Sequence, residues 1–168
     1  MVTTDLDPTT RRACASTVIA ADRRVIFDIL ADPAMHPSID GGQTVRAPLA
    51  SNPRRLSMGA TFGMSMRRLA RYRIRNTVVE WDEPRLIAWR HFGGHRWRYE
   101  LSEVPGGTRV TETFDWSTSR RPRFIERAGY PQRNLRGMEA TLDRLAALAT
   151  AVPNGPAVTG PPSASSPR

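Results

Sequence analysis

The feature that most limits how this chain can fold is a run of strand-like segments between residues 72 and 116, followed by one helical stripe. The segment YRIRNTVVEW alternates apolar and polar side chains, the pattern of a half-buried antiparallel strand. The turn signals DEPR, GG and PGG separate it from LIAWRHF, HRWRYELSEV and TRVTETFDWS, which predicts three consecutive hairpins. Apolar residues then recur at helical spacing: Leu135, Met138, Leu142, Leu145 and Ala149.

The preceding part of the chain adds a strand, two short helices and two weaker strands. ACASTVIA predicts the first strand, and Asp22 can cap a helix that Pro33 stops. AMHPSID predicts a short turn or helix, and GQTVRA and ATFGMSM predict the weaker strands. The fold class is therefore α+β, with an antiparallel sheet of about seven strands curled around one long C-terminal helix. Because a wide twisted sheet leaves space beside one helix, we expect an internal cavity.

The length and composition of the chain predict a single folded domain. The chain has 168 residues, enough for a single core without a metal or disulfide staple. Residues 13–150 are expected to form the domain. Residues 1–12 contain few large apolar side chains and are predicted to be disordered. Residues 151–168, rich in Pro, Gly and Ser, are predicted to form a disordered tail.

The formal net charge of +9 raises the question of a nucleic-acid partner. All 25 basic residues are arginine and they are spread along the chain, which favours a solvated surface. An anionic partner for the arginine face stays as the alternative. No apolar run reaches the ~18 residues of a membrane span, and MVTTDLDPTTRR lacks the apolar core of a secretion signal. Together with a lone cysteine, Cys14, these features predict a cytoplasmic protein.

Three segments carry a resemblance to a known family: VIFDILADPAMHPSIDGG, NTVVEWDEPRLIAW and WRYELSEVPGGTRVTETFDWS. With the closing helix they resemble the helix-grip fold of the START-like (SRPBCC) superfamily, and within it the bacterial polyketide cyclase/dehydrase and lipid-transport family. The resemblance implies a small hydrophobic ligand, such as a polyketide, lipid or quinone-like compound. His36 falls near the position where this family commonly has an aromatic residue.

The last hairpin supplies the candidate catalytic pair. A turn at residues 105–107 pairs Tyr99 with Glu112 and Trp97 with Phe114, on the face that also carries Trp116. A carboxyl group among aromatic side chains should have a raised pKa and could act as a general acid or base beside the Tyr99 hydroxyl. The alternative is that Glu112 pairs with a buried arginine or another hydrogen-bond donor, or lies near the wet rim.

Further candidates for ligand binding come from the same face of the sheet and from the helices. Asn76 could bind a ligand carbonyl or a backbone group at a bulge, and Asp40 before Gly-Gly could be a turn residue. His91 points inward only if the Gly-Gly turn keeps the register. The other candidates are His36, Phe62, Met64, Met66, Tyr72, Trp89, Trp97, Phe114, Trp116, Met138 and Leu142.

Three functions remain open from the sequence. The first is a cyclase or dehydratase acting on a bound hydrophobic molecule, and the second is a non-enzymatic carrier of such a molecule. The third is a toxin-like or ribosome-associated protein that uses its arginines. No histidine or cysteine spacing predicts a metal site, and no cofactor is expected. A monomer and a homodimer are both compatible with the sequence.

Overall fold

A long antiparallel sheet and four helices make up the part of the chain that the computed structural model describes, residues 1–67 and 70–151. The elements are β1 Thr3–Asp7, β2 Arg12–Ile19, α1 Arg23–Ala31, α2 His36–Ile39, β3 Val45–Pro48, β4 Thr61–Arg67, β5 Arg71–Asp82, β6 Leu86–His91, β7 Arg96–Val104, β8 Gly107–Asp115, α3 Pro122–Arg127 and α4 Tyr130–Ala151.

The sheet has eight strands in the order β1-β2-β8-β7-β6-β5-β4-β3, and every neighbouring pair is antiparallel. Strands β5 to β8 form the predicted meander. The sheet is curved and α4 packs across it, chiefly against β2 and β8. This arrangement confirms the α+β helix-grip fold. Among the described residues, no helix is long and apolar enough to cross a membrane.

Helix α1 begins and ends where its sequence predicts. The Asp22 carboxylate accepts a hydrogen bond of 2.7 Å from the backbone N–H of Arg24, which caps the first turn. Ile26, Phe27 and Leu30 are buried on the face toward the core. The helix stops at Ala31, just before Pro33, because the residue preceding a proline disfavours helical backbone angles.

The prediction of a disordered segment at residues 1–12 is wrong, because this segment forms the edge strand β1. Thr4 and Asp5 pair with β2, and Leu6 packs against the core. Its sequence TTDLD is too polar to indicate a strand, but β2 offers a row of backbone N–H and C=O groups that only another strand can pair. At the other end α4 reaches Ala151, so nearly all of the predicted tail lies outside the described residues.

Helix α4 carries the predicted apolar stripe and has two functionally different halves. In the C-terminal half, Leu142, Leu145 and Ala149 are fully buried in the core. In the N-terminal half, only Pro131 and Met138 of the apolar side chains are buried, and the helix there stands over open space. The helix therefore anchors the sheet at one end and roofs a cavity at the other.

A close contact between the end of α2 and α4 shapes one side of this cavity. The Gly41 N–H donates a hydrogen bond of 3.0 Å to the Thr141 hydroxyl. A side chain at position 41 would place its Cβ 2.1 Å from the carbonyl oxygen of Gly137, so only glycine allows the two segments to approach this closely. This contact holds α2 against the roof of the cavity.

Candidate ligand-binding and active site

The cavity lies between the concave face of the sheet and the N-terminal half of α4, and it has a volume of about 270 Å³. Most of the side chains proposed from the sequence meet here. The lining includes thirteen of them: His36, Asp40, Phe62, Met64, Met66, Tyr72, Asn76, Trp89, His91, Trp97, Tyr99, Glu112 and Met138. The strand alternation is what selects them, because residues two apart on a strand share a face.

Glu112 and Tyr99 form a buried pair in the cavity wall. They face each other across β7 and β8, as the turn at residues 105–107 predicts. The Tyr99 hydroxyl donates a hydrogen bond of 2.7 Å to Oε1 of Glu112, and both residues are at most 4% exposed. The second carboxyl oxygen, Oε2, is buried and has no hydrogen-bond partner in residues 1–67 and 70–151. A buried polar atom without a partner is costly, so Oε2 is the atom most in need of a ligand group.

Burial sets the protonation state of this pair. Loss of hydration raises the pKa of Glu112 to about 8, and the negative charge of Asp40 adds to the rise, against the lowering effect of the Tyr99 hydrogen bond. The pKa of the Tyr99 hydroxyl is also raised, by burial first and then by Glu112. At pH 7 the carboxyl group is therefore mainly neutral. Because Oε1 accepts from Tyr99, the acid proton belongs on Oε2, where it can be donated to a ligand.

Asn76 supplies a second polar group without a partner. It lies on β5, is 4% exposed, and its side-chain amide makes no hydrogen bond within the described residues. The bulge of this strand lies between Val78 and Glu80, so Asn76 does not hydrogen-bond a backbone group at a bulge, which was the alternative role predicted for it. An amide offers both a donor and an acceptor to a bound molecule.

His36 belongs to the aromatic wall of the cavity. Its Nε2 donates a hydrogen bond of 2.9 Å to the backbone carbonyl of Leu30, and burial lowers its pKa, so the ring is neutral. The ring stacks on Trp89 at a centroid distance of 5.1 Å and meets the edge of Phe62 at 5.3 Å. Trp89 in turn lies 5.4 Å from Tyr99, which continues the aromatic wall to the acid pair.

Asp40 and His91 lie at the margins of the cavity, and both have structural partners. Asp40 accepts backbone hydrogen bonds of 2.6 Å from Thr44 and Val45, so it is the turn residue that its sequence position predicts. His91 pairs with Asn76 across the strands, so the inward register is the one that forms. Burial lowers the pKa of His91 to about 4, and its neutral ring stacks on His95 at 4.5 Å.

Three side chains predicted to contact ligand do not line the cavity. Phe114 lies on the expected face, but it is covered by Trp97 and Trp116 at centroid distances of 5.0 and 5.5 Å. Trp116 is buried beyond it, and its Nε1 donates to Glu126 of the unpredicted helix α3. Leu142 lies one helical turn past the lining residue Met138 and packs into the core.

Apart from Met138, the lining residues of α4 were not among the sequence candidates. They carry a readable signal, because they recur at helical spacing beside the apolar stripe: Tyr130, Asn134, Gly137 and Thr141. Small and polar residues at such positions leave a gap against the sheet rather than filling it. Arg133 also lines the cavity, and its guanidinium carbon lies 5.2 Å from the centre of the Tyr130 ring. The remaining unpredicted lining residues are Ile39, Gly42, Thr44, Val45 and Ile74.

Comparison with known proteins supports the fold. The chain is 36% identical over 151 residues to the uncharacterized protein Rv0088 of Mycobacterium tuberculosis, a match that covers 86% of this chain and 67% of that protein. The crystal structure of protein Ms6760 from Mycobacterium smegmatis superposes with a TM-score of 0.70 at 20% identity, covering 90% of this chain and 99% of the other. An AHSA1-like protein from Aeromonas hydrophila gives a TM-score of 0.58 at 19% identity, covering 83% and 92%.

A curved antiparallel sheet that grips a C-terminal helix defines the START-like (SRPBCC) class. The sequence pattern of one family in this class matches residues 10–150, nearly the whole described domain. The chain belongs to the polyketide cyclase/dehydrase and lipid transport family. In residues 1–67 and 70–151, no group of three or more His, Cys, Asp or Glu side chains is placed to hold a metal ion.

Proposed function

We propose that the protein binds a small, largely apolar molecule bearing a carbonyl or hydroxyl oxygen, and that Glu112 acts on that oxygen as a general acid and base. One observation carries this proposal: a buried carboxyl group in the cavity wall with its Oε2 unpartnered. The family to which the chain belongs, polyketide cyclase/dehydrase and lipid transport, supports the same class of ligand.

The shape and lining of the cavity favour a compact, ring-containing ligand. Its volume of about 270 Å³ lies near the lower end of the range of small-molecule sites, roughly 300–1,000 Å³. Trp89 and Phe62 offer aromatic surfaces to a flat apolar body. Oε2 of Glu112 and the amide of Asn76 are buried and have no hydrogen-bond partner within the described residues, so they are suited to orient the ligand oxygen.

The chemistry that Glu112 can perform follows from its neutral state at pH 7. In a dehydration, its Oε2 proton passes to the ligand hydroxyl, which leaves as water. The resulting carboxylate then takes a proton from the carbon adjacent to the ligand carbonyl, and a carbon–carbon double bond forms. Glu112 ends protonated, as it began. The Tyr99 hydroxyl stabilises the transient carboxylate through its hydrogen bond to Oε1.

The test uses the aldol adduct of benzaldehyde and acetone as substrate and its dehydration product, benzalacetone, as a binding probe. We expect the wild-type protein to form benzalacetone, detected by its near-ultraviolet absorbance. Glu112→Gln keeps the side-chain shape and should lower turnover by at least about 100-fold, the usual contribution of a general acid or base. Asp143→Asn, an exposed carboxylate on α4, is the matched control and should leave turnover unchanged.

A binding measurement distinguishes an enzyme from a non-enzymatic carrier. Quenching of tryptophan fluorescence by benzalacetone should be retained in Glu112→Gln, since the apolar wall is intact. If wild-type protein binds benzalacetone but produces none from the adduct, the catalytic part of the proposal is wrong and the carrier function stands. Butylbenzene, an apolar molecule of similar size without an oxygen, is a second binding probe. If neither probe binds, and native mass spectrometry of protein from its own host finds no apolar ligand, the binding proposal itself fails.

A further inference from the structure

A second pocket lies on the opposite, convex face of the sheet and is lined by four arginines. We call it the arginine pocket: it contains Arg75 on β5, Arg90 on β6, Arg96 on β7 and Arg120 in the segment before α3. Its volume is about 390 Å³. Of the residues that the structure describes, His91 alone lines both this pocket and the cavity described above, so the pocket is a separate site.

The strand register brings these arginines together. Arg90 pairs directly with Arg96 on one side and with Thr77 on the other. Residues opposite each other in neighbouring strands have Cβ atoms about 4.5–5.5 Å apart, and like charges in such pairs are destabilising. Because Trp89 and Trp97 face the cavity, the alternating positions 90 and 96 face outward.

The segment that carries Arg120 is held against the turn between β6 and β7. The Thr118 hydroxyl donates a hydrogen bond of 2.7 Å to the carbonyl of Gly94, and the Arg120 N–H donates one of 3.1 Å to the carbonyl of Gly93. Gly94 has φ of +94°, and a Cβ there would lie 2.6 Å from the Thr118 carbonyl oxygen. The fourth guanidinium group is thus positioned by a close backbone contact that requires glycine.

The charges of the arginine pocket are poorly compensated by the protein. Within the described residues, Arg75, Arg90 and Arg120 make no ion pair. Arg96 pairs with Glu80 at 3.5 Å, and its Nε is buried with no hydrogen-bond partner in the described part of the chain. A cluster of cations with a buried unpartnered N–H has electrostatic repulsion and a desolvation cost that a bound anion would relieve.

We infer that the arginine pocket binds the phosphoryl group of a small molecule, as a phosphate monoester or a diphosphate. Guanidinium groups recognise phosphate through paired N–H donors, and the Thr77 and Thr118 side chains add hydroxyl groups at the wall. A phosphate monoester carries about −1.5 to −2 charges at pH 7, which balances several arginines better than one carboxylate does. The pocket is larger than a single phosphoryl group requires, so it leaves room for a second group or an organic part.

Calorimetric titration with inorganic pyrophosphate at low ionic strength tests the inference. We expect saturable binding to the wild-type protein and a loss of at least about tenfold in affinity for R90Q/R120Q, since the variant loses the charge-assisted hydrogen bonds of two guanidinium groups. The control pair R24Q/R109Q removes the same charge from two exposed arginines elsewhere and should bind as the wild type does. Equal losses in both pairs, or no binding to the wild type, would overturn the inference.

Further arms of the same experiment identify the source of the phosphoryl group. Glycerol phosphate represents a free ester, and vesicles of phosphatidylcholine with phosphatidic acid represent a lipid headgroup. Binding to either that is weakened in R90Q/R120Q alone supports the pocket and assigns its source. A short RNA that binds when pyrophosphate does not would overturn the small-molecule site. The benzalacetone assay is independent of these arms, because the pocket and the cavity open on opposite faces.

Discussion

Replacing Glu112 with glutamine should change how the stability of the protein depends on pH. In the folded protein the pKa of Glu112 is about 8, against an ordinary value of 4.5. Between these two values the unfolded chain has lost this proton and the folded chain has kept it. Folding therefore binds a proton, and the free energy of unfolding falls as pH rises. Glutamine does not titrate, so the variant lacks this contribution.

The size of the effect follows from the two pKa values. One proton bound on folding changes the unfolding free energy by about 1.4 kcal/mol per pH unit. Between pH 5 and pH 8 the stability difference between wild type and Glu112→Gln should therefore shift by about 3–4 kcal/mol, in favour of the variant at the higher pH. Below pH 4.5 both states of the wild type are protonated at Glu112, and the difference becomes constant.

Urea unfolding followed by tryptophan fluorescence at pH 5, 6, 7 and 8 measures this difference. Other groups that titrate, such as His36 and His91, remain in both proteins and cancel in the comparison. Asp143→Asn, which removes an exposed carboxylate elsewhere on α4, is the control. Parallel curves for wild type and Glu112→Gln would show that the carboxyl group is hydrated and ionised, which would refute the buried acid pair.

Three further outcomes are expected. Leu142→Ala should lower the free energy of unfolding by ~2–5 kcal/mol, measured by urea unfolding, because the side chain is fully buried. Gly41→Ala should destabilise the protein by about 1–3 kcal/mol or more, since the new Cβ would overlap the Gly137 carbonyl. The control Gly42→Ala, at the neighbouring position, should cause a smaller loss of stability when both variants are compared by thermal unfolding. Asn76→Leu should leave stability unchanged or higher while benzalacetone titration shows weaker binding; retained affinity would exclude Asn76 from the site.

The acid pair could be predicted from the sequence because local rules determine it. A short Gly-containing turn sets the register of β7 against β8, and a period of two then fixes which side chains share a face. Tyr99 and Glu112 follow from these two facts alone. Phe114 satisfies the same rules and still does not contact the cavity, because its position along the strand places it beneath Trp97. The alternation of side chains along a strand predicts which face of the sheet a residue lies on, but not which other side chains cover it.

The features that could not be predicted depend on contacts between distant parts of the chain. Strand β1 forms because the edge of β2 is unpaired, and nothing in its polar sequence indicates that edge. The wall between α2 and α4 depends on Gly41 meeting Gly137, about a hundred residues apart in sequence. The helical spacing of Tyr130, Asn134 and Thr141 is visible in the sequence. That these residues roof a cavity depends on where the opposing sheet lies, which the spacing does not indicate.

The division of α4 into two halves separates the requirements of folding from those of ligand choice. Leu145 and Ala149 hold the helix to the sheet, whereas Asn134 and Gly137 border the cavity and contribute little to the core. A Cβ at Gly137 would meet its nearest neighbour, the backbone nitrogen of Gly42, at an ordinary contact distance of 3.5 Å, so an alanine fits there without moving the backbone. A library of variants restricted to these two positions can therefore reshape the cavity toward new molecules while leaving the part that keeps the protein folded untouched.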